Sequence, residues 1–241
     1  MPLPKIDLPT YVIKLPSNGK EVTIRPFLVK EEKLLLIALE SNDSNDIIST
    51  TKQVINNCIV DGNVNVETLP FFDIDYLFIA LRAKSVGESI EIKFTCNNEV
   101  EGERCGAVFP AKIDISNCEV VSNPEITKEI RLSGIVMVKM KYPSYSAMKV
   151  IMSDEDEITR KVKIIANSIE LIQEKDKVYT NKDFTKEELI TFIEGLTQDQ
   201  FKKLELFVNN FPSFIITSDA KCVKCGFDHK LRYNEFASFF T

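Results

Sequence analysis

The sequence predicts an α+β fold built as a tandem pseudo-repeat, in which each half contains a β-hairpin, helices and a strand–knuckle–strand segment. Three observations lead to this prediction: two cysteine-containing knuckles, two hairpin-like segments, and helical patterns that follow each hairpin. Because each half carries a single cysteine pair, we expect the halves to share one rubredoxin-like zinc ribbon. The predicted repeats span residues 1–120 and 121–241, and the shared site would join them into one compact unit.

Two short segments have the pattern of a zinc knuckle. In each, a strand-like run ends at a cysteine, and a second cysteine is followed directly by a glycine. The glycine lets the backbone turn so that its N–H groups can point at a thiolate sulfur. Four thiolates form a closed tetrahedral site, so we predict a structural Zn²⁺ held by Cys96, Cys105, Cys222 and Cys225.

The sequence leaves two other interpretations of these cysteines, a vestigial site and a redox pair. The redox interpretation is weak for Cys222 and Cys225, because their C-x-x-C motif precedes a strand instead of opening a helix. The first knuckle also departs from the usual spacing, since eight residues separate Cys96 from Cys105. Residues 97–104 are therefore expected to form a looped-out insertion.

Two hairpin-like segments indicate the duplication. Residues 11–26 and 128–143 each contain two short alternating strands joined at a glycine-containing turn. Both segments end at a proline, which cannot extend a strand ladder, and Pro26 and Pro143 lie 117 residues apart. The hairpins therefore mark equivalent starting points of the two repeats.

Apolar periodicity predicts three helices in the first half. They cover residues 28–40, residues 44–59 and approximately residues 68–84. Pro70 is compatible with the third helix because the first turn tolerates a residue without an N–H group.

The second half is predicted to contain a short helix over 144–152 and a longer one from about Asp154. Capping boxes at Thr185 and Thr197 open two further helices, the first of which stops at Gly195. The longer helix is predicted from an apolar stripe formed by Ile158, Val162, Ile165, Ile169 and Ile172.

Composition narrows the class of protein. A formal net charge of −6 argues against a large surface for nucleic acid or for an anionic membrane. No apolar stretch approaches the roughly 18 residues of a membrane span, and residues 1–5 lack the apolar core of a signal peptide. We therefore expect a cytoplasmic protein, in which clustered cysteines favour metal over disulfide bonds.

The sequence also argues against an enzyme. It contains a single histidine, His229, and no glycine-rich phosphate loop, so His-dependent and nucleotide-binding sites are disfavoured. Four cysteine ligands leave no open position on the metal for water or substrate. The acidic run Asp154–Glu157 is interpreted as a solvated helix N-terminus rather than a cation site.

The other cysteines, the histidine and two aromatic segments have less specific interpretations. Cys58 is expected to be a small hydrophobe on a helix, and Cys118 an incidental thiol. His229 is expected on a strand surface, with replacement of a cysteine ligand as the alternative. The aromatic segments 70–72 and 233–240, the latter with Phe236, Phe239 and Phe240, are either core or partner-docking surfaces.

Residues 15–20 read Leu-Pro-Ser-Asn-Gly-Lys, and residues 25–35 read Arg-Pro-Phe-Leu-Val-Lys-Glu-Glu-Lys-Leu-Leu. These stretches, together with residues 72–88, resemble the T4-type phage baseplate hub assembly family, most clearly over residues 11–110. The resemblance implies a phage tail morphogenesis protein in the cytoplasm of the infected bacterium. It implies other baseplate hub proteins as partners, with the chain either released as a chaperone or retained in the virion baseplate.

The leading hypothesis is therefore a non-enzymatic assembly factor or structural subunit of the baseplate central hub, without a small-molecule substrate. The alternative is a nucleic-acid-binding zinc-ribbon protein. That alternative has support from basic residues near the second knuckle, and it is opposed by the acidic net charge. The basic residues are Lys221, Lys224, Lys230 and Arg232.

Overall fold

A computed structural model describes residues 6–41, 43–152 and 156–234 of the chain. The predicted α+β class is confirmed, with small antiparallel sheets. The helices in these ranges are α1 (Val29–Glu40), α2 (Ser44–Cys58), α3 (Phe71–Ser85), α4 (Tyr145–Met152), α5 (Glu157–Ser168), α6 (Lys186–Glu194) and α7 (Gln198–Asn209).

The strands in the same ranges are short and fall into both halves of the chain. They are β1 (Tyr11–Lys14), β2 (Glu21–Ile24), β3 (Ile59–Asp61), β4 (Ser89–Thr95), β5 (Glu99–Val100), β6 (Glu103–Arg104), β7 (Val108–Asp114), β8 (Glu119–Val121), β9 (Glu129–Arg131), β10 (Val136–Met140), β11 (Ile169–Glu174), β12 (Lys177–Thr180), β13 (Ser213–Lys221) and β14 (Asp228–Tyr233).

The chain forms two compact units. The first contains the described parts of Met1–Val66, Phe72–Val121 and Ser213–Thr241, and the second contains Glu67–Phe71 and Ser122–Pro212. The last two strands, β13 and β14, thus belong to the first unit although they follow the second unit in sequence. All four candidate metal ligands lie in the first unit.

In the first unit, β1 and β2 form the predicted hairpin, and β2 also pairs with β3. Gly19 occupies the turn with a φ of +71°, a backbone conformation that suits glycine. Helix α3 runs through the core and buries residues on all sides, including Phe72 and Asp73. The Asp73 carboxylate accepts hydrogen bonds from the backbone N–H and the hydroxyl of Ser17, which connects α3 to the hairpin turn.

Two antiparallel ribbons of the first unit support the candidate site. The first ribbon is the pair β4–β7, and the second is the pair β13–β14. Strand β13 also pairs with β8. The hydroxyl of Ser218 on β13 donates to the carbonyl of Lys112 on β7 at 3.0 Å, so the two ribbons lie side by side. A buried apolar cluster holds their far ends, formed by Ile79, Ala83, Ile90, Ile113, Ile115, Phe214 and Ile216.

The second unit contains a four-stranded sheet in the order β12-β11-β10-β9 and helices α4 to α7. The two predicted capping boxes are confirmed. Thr185 and Glu188 cap α6 reciprocally, and Thr197 and Gln200 do the same for α7. Asp156 caps α5 by accepting from two backbone N–H groups, in line with the acidic run as a helix N-terminus, although Asp154 and Glu155 lie outside the described residues.

The predicted long helix of the second half is wrong beyond Ser168, where strand β11 begins. Ile169 and Ile172 are both buried although they are three residues apart, a spacing that indicates a helix. A register shift opposite Lys139 and Met140 produces the same spacing in a strand, because a β-bulge turns one residue out of alternation. Ile158, the first residue of the predicted stripe, is 73% exposed.

The two aromatic segments have different outcomes. Phe72 is fully buried in the first unit, and Phe71 packs against Phe211 with ring centroids 5.7 Å apart. Core packing therefore accounts for Phe72, while Pro70 and Phe71 are partly exposed. In the C-terminal segment, the residues Phe236, Phe239 and Phe240 lie outside the described residues.

A buried ion pair connects three elements of the first unit. The Glu31 side chain is fully buried, accepts the Leu28 N–H at 2.8 Å and pairs with Arg25 at 3.2 Å. Arg25 also donates to the carbonyl of Asn57 at the end of α2. Burial alone would raise the pKa of Glu31, but the Leu28 N–H and the Arg25 guanidinium hold it below its usual value.

We predict that Arg25→Met lowers the free energy of unfolding by about 3–5 kcal/mol at pH 7, because it leaves the Glu31 carboxylate buried without its main cation. The difference in unfolding free energy between wild type and variant should be smaller at pH 5. In the wild type the ion pair stabilises the fold only while Glu31 is ionised, and in the variant protonation of Glu31 removes the unpaired buried charge. Chemical denaturation at both pH values measures this.

The matched control is Lys14→Met, which removes the exposed ion pair between Lys14 and Glu21. Such a surface pair contributes less than about 1 kcal/mol. Equal losses in the two variants, or a deficit of Arg25→Met that grows as the pH falls, would contradict the assigned role of Arg25.

Candidate metal centre

The structure brings together the sulfur atoms of the four predicted ligands, Cys96, Cys105, Cys222 and Cys225. All four lie within 4.8 Å of one another. The first three side chains are buried and the fourth is partly exposed. The arrangement could therefore hold a metal ion.

Two of the sulfur–sulfur distances match the edge of a tetrahedral metal site. The Cys96 and Cys225 sulfurs are 3.7 Å apart, and the Cys105 and Cys222 sulfurs are 3.8 Å apart. A tetrahedron with metal–sulfur bonds of about 2.3 Å has edges of about 3.8 Å, whereas a disulfide bond is about 2.05 Å long. Each close pair also combines one sulfur from each knuckle, so an ion at the centre would crosslink the two knuckles.

The first knuckle has a tight backbone turn at the end of β4. The Cys96 N–H donates to the Ala107 carbonyl at 2.8 Å, and the Gly106 N–H donates back to the Cys96 carbonyl at 3.2 Å. Gly106 has a φ of +62°, so the turn requires the left-handed region that side chains disfavour. This geometry places both cysteines of the first pair at the end of the β4–β7 ribbon.

The long spacing of the first knuckle is accommodated by a small hairpin. Strands β5 and β6 pair across a turn at Glu101 and Gly102, both of which have positive φ. The Cys105 N–H donates to the Asn98 carbonyl at 2.8 Å, which closes the base of the hairpin. The insertion therefore projects from the knuckle and leaves the position of Cys105 unaffected.

The second knuckle repeats the same backbone hydrogen bonds. The Cys222 N–H donates to the Phe227 carbonyl at 2.9 Å, and the Gly226 N–H donates to the Cys222 carbonyl at 3.0 Å. Gly226 has a φ of +71°. The strands also pair in the same register, since the residue before the first cysteine is opposite the residue two positions after the glycine, at Thr95–Val108 and Lys221–Asp228.

The backbone of the second knuckle favours the thiolate form of Cys222. The N–H of Cys225, with that of Lys224 at 3.4 Å from the sulfur, lowers the pKa of the Cys222 thiol to about 6. Burial acts oppositely at Cys96 and raises the pKa of its thiol to about 12. Several buried thiolates would repel one another in this cluster, and a bound cation would offset that repulsion.

The other two cysteines are outside the cluster. Cys58 is fully buried at the end of α2, in accordance with its predicted role as a small hydrophobe, and burial raises the pKa of its thiol to about 11. Cys118 is partly buried against the apolar cluster of the first unit, and burial raises the pKa of its thiol to about 12. High thiol pKa values make both residues poor nucleophiles.

The prediction that His229 lies on a strand surface is wrong, because the residue is only 6% exposed. On β14, His229 and Leu231 face inwards while Asp228, Lys230 and Arg232 are exposed. The Nε2 atom of His229 lies 3.2 Å from the Cys96 sulfur. The alternation of polar and apolar residues around Leu231 is the sequence signal that would have placed His229 inside.

A family model described as T4 bacteriophage base plate protein matches residues 8–241, nearly the whole chain. The chain belongs to this family. No curated protein and no solved structure matches it at a significant level.

Family membership confirms the resemblance seen in the sequence and supports a structural role in a phage baseplate. It implies association with other phage baseplate proteins and a place in the virion. A structural family of this type is consistent with a protein that is not an enzyme. None of the helices among the described residues is long and apolar enough to cross a membrane.

We predict that Gly106→Ala and Gly226→Ala each destabilise the protein by about 1–2 kcal/mol, because a side chain disfavours positive φ. A Cβ atom at either position meets no heavy atom closer than 3.9 Å, so the cost comes from the backbone conformation and not from a clash. Thermal unfolding of the metal-loaded protein measures the loss.

Gly134→Ala is the matched control, since Gly134 has open space around it and lacks a positive φ. It should change stability by less than about 0.5 kcal/mol. Losses of the same size at all three glycines would show that the two knuckle turns have no special backbone requirement.

Proposed function

We propose that this chain is a non-enzymatic phage tail morphogenesis protein that acts in the assembly of the baseplate central hub. It works in the host cytoplasm, either as an assembly factor that leaves as a chaperone or as a subunit that stays in the virion baseplate. Its partners are other proteins of the hub. The observation that carries this proposal is the family match over residues 8–241.

The metal in this proposal is Zn²⁺, held by Cys96, Cys105, Cys222 and Cys225. The support is geometric and chemical. Four soft ligands lie within 4.8 Å of one another, two pairs of them at 3.7 and 3.8 Å, and three of the four are buried. With four protein ligands, the ion has no open position for water or substrate. The site therefore stabilises the fold and performs no hydrolysis.

The proposed metal acts as a crosslink within the first unit. Residues 96–105 end one ribbon, and residues 222–225 end another that is contributed by the last part of the chain. A structural zinc adds its binding free energy to folding, because the unfolded chain has no preformed site. The ion would thus hold β13 and β14 against the ribbon of β4 and β7.

We further propose that the two halves arose as a tandem pseudo-repeat, 1–120 and 121–241, that shares this site. Each half has a hairpin, helices, and a ribbon that ends in a knuckle. The two knuckles have equivalent backbone hydrogen bonds, equivalent glycines with positive φ, and the same strand register. Each half contributes two ligands, so neither could close a tetrahedral site alone.

Nucleic-acid binding is not favoured. The basic residues of the second ribbon, among them Lys221 and Lys230, alternate with Asp219 and Asp228, and the whole chain has a net charge of −6. Phosphate binding typically uses basic residues clustered in a patch or stripe on one face, and this ribbon pairs its lysines with aspartates instead.

We predict close to one zinc equivalent per chain in protein purified without chelator, measured by elemental analysis that also quantifies iron. Cys225→Ser should lose the metal and several kcal/mol of stability, because the variant loses the folding free energy that the ion supplies. Cys118→Ser is the matched control and should retain the metal. Folded wild-type protein with less than about a tenth of an equivalent of any metal would exclude the site.

The assembly role is tested by deletion of the gene from the phage. We expect heads to form normally, hub complexes to be absent, and wild-type protein supplied in trans to restore them. Co-expression with each baseplate protein, followed by affinity purification, should identify a stable hub partner.

A mobility-shift assay at two salt concentrations serves as the counter-test, and it should give no salt-dependent binding to DNA or RNA. Normal hubs and normal infectious yield from the deletion mutant would refute the assembly role. Tight binding to nucleic acid without a protein partner would favour the zinc-ribbon alternative.

A further inference from the structure

His229 is the single histidine of the chain, and its imidazole is buried beside the cysteine cluster. Its Nε2 atom lies 3.2 Å from the Cys96 sulfur, at hydrogen-bonding distance. The contact crosses between the two ribbons, because His229 is on β14 and Cys96 follows β4. His229 is not among the four residues whose ligand atoms form the metal-binding group.

Three aromatic rings fix the orientation of the imidazole. The centroid of the His229 ring lies 5.0 Å from that of Phe94, 4.8 Å from that of Phe227 and 6.4 Å from that of Phe109. The first two contacts are edge-to-face, which leaves the ring little freedom to rotate. The position of Nε2 is therefore set by packing and is available for one specific hydrogen bond.

The two halves differ at this position. His229 lies three residues after Gly226, and the residue three positions after Gly106 in the first ribbon is Phe109, which is also buried. The fold thus accepts phenylalanine at the equivalent place. A histidine in the second ribbon is not required by packing alone, and its polar edge is directed at a sulfur ligand.

A metal-bound Cys96 determines the direction of the hydrogen bond. A ligating cysteine is a thiolate without a proton, so Nε2 must carry the hydrogen and donate it. Four thiolates around one divalent cation leave two negative charges in a largely buried site. Backbone N–H groups already donate to this cluster, as the Lys224 N–H does at 3.4 Å from the Cys222 sulfur. The imidazole adds a side-chain donor.

We propose that His229 is a positioning residue of the metal centre, whose Nε2–H donates to the Cys96 thiolate, disperses its negative charge and tightens metal binding. This inference rests on the proposed zinc site and adds a residue that hydrogen-bonds to a metal ligand without binding the metal itself. Mutation of residues that hydrogen-bond to metal ligands typically weakens metal affinity 10–100-fold.

The direct experiment uses the wild-type chain, because a single histidine gives one unambiguous set of imidazole signals. Long-range ¹H–¹⁵N spectra of the zinc-loaded protein should find the proton on Nε2 and none on Nδ1. In protein loaded with ¹¹³Cd, a scalar coupling between the metal and the Nε2 proton would report the hydrogen bond through the sulfur. A proton on Nδ1 with an unprotonated Nε2 overturns the proposal.

Two variants test the effect on affinity. His229→Phe keeps an aromatic ring, as at Phe109, and removes the donor, so competition with a chromophoric chelator should give a zinc Kd 10–100-fold weaker. His229→Gln retains an N–H donor near the Nε2 position and should recover most of the affinity. The sulfur-to-metal charge-transfer band of the Co²⁺-loaded protein should shift in His229→Phe and less in His229→Gln.

The outcomes separate this inference from the zinc site itself. Tight zinc binding by the wild type and an unchanged Kd in His229→Phe would refute the role of His229 and leave the site intact. A folded wild type that binds neither Zn²⁺ nor Co²⁺ would refute both. If His229→Phe does not fold, the wild-type spectra and the His229→Gln titration decide the question.

Discussion

The structure of the first unit depends on the meeting of two cysteine pairs that are far apart in sequence. Cys105 and Cys222 are 117 residues apart, yet their sulfurs lie 3.8 Å from each other. The second unit occupies most of the intervening chain, so β13 and β14 must return after residue 212 to complete the first unit. The ordering of such a long connection costs conformational entropy, which a metal crosslink would offset.

The knuckles satisfy this constraint through backbone geometry, and apolar side chains of both ribbons pack around the cysteines. Each turn uses one glycine with positive φ and a reciprocal pair of hydrogen bonds to place its first cysteine at the end of a strand. Away from the metal end, an apolar cluster and the Ser218–Lys112 hydrogen bond hold the ribbons together. The four cysteines are therefore supported on paired strands, as the proposed structural metal site requires.

Much of this could be predicted from the sequence because the signals are local. A Cys-Gly pair specifies a knuckle, and a capping box such as Thr185–Glu188 specifies a helix start. Strands β3 and β11 were not predictable, because each continues directly from a helix. In β11 the bulge opposite Met140 also gives the buried residues Ile169 and Ile172 the spacing of a helix. The alternation on β14 places His229 on the inner face, whereas its contacts with Phe94 and Phe109 of the other ribbon depend on tertiary packing that no local pattern encodes.

The central claim is that one metal ion is coordinated by two cysteines from each ribbon. X-ray absorption spectroscopy at the zinc edge of the purified wild-type chain tests it most directly. We expect a first shell of four sulfur atoms at about 2.3 Å, with no light scatterer in that shell. A shell with nitrogen or oxygen ligands, or fewer than four sulfurs, would contradict the account.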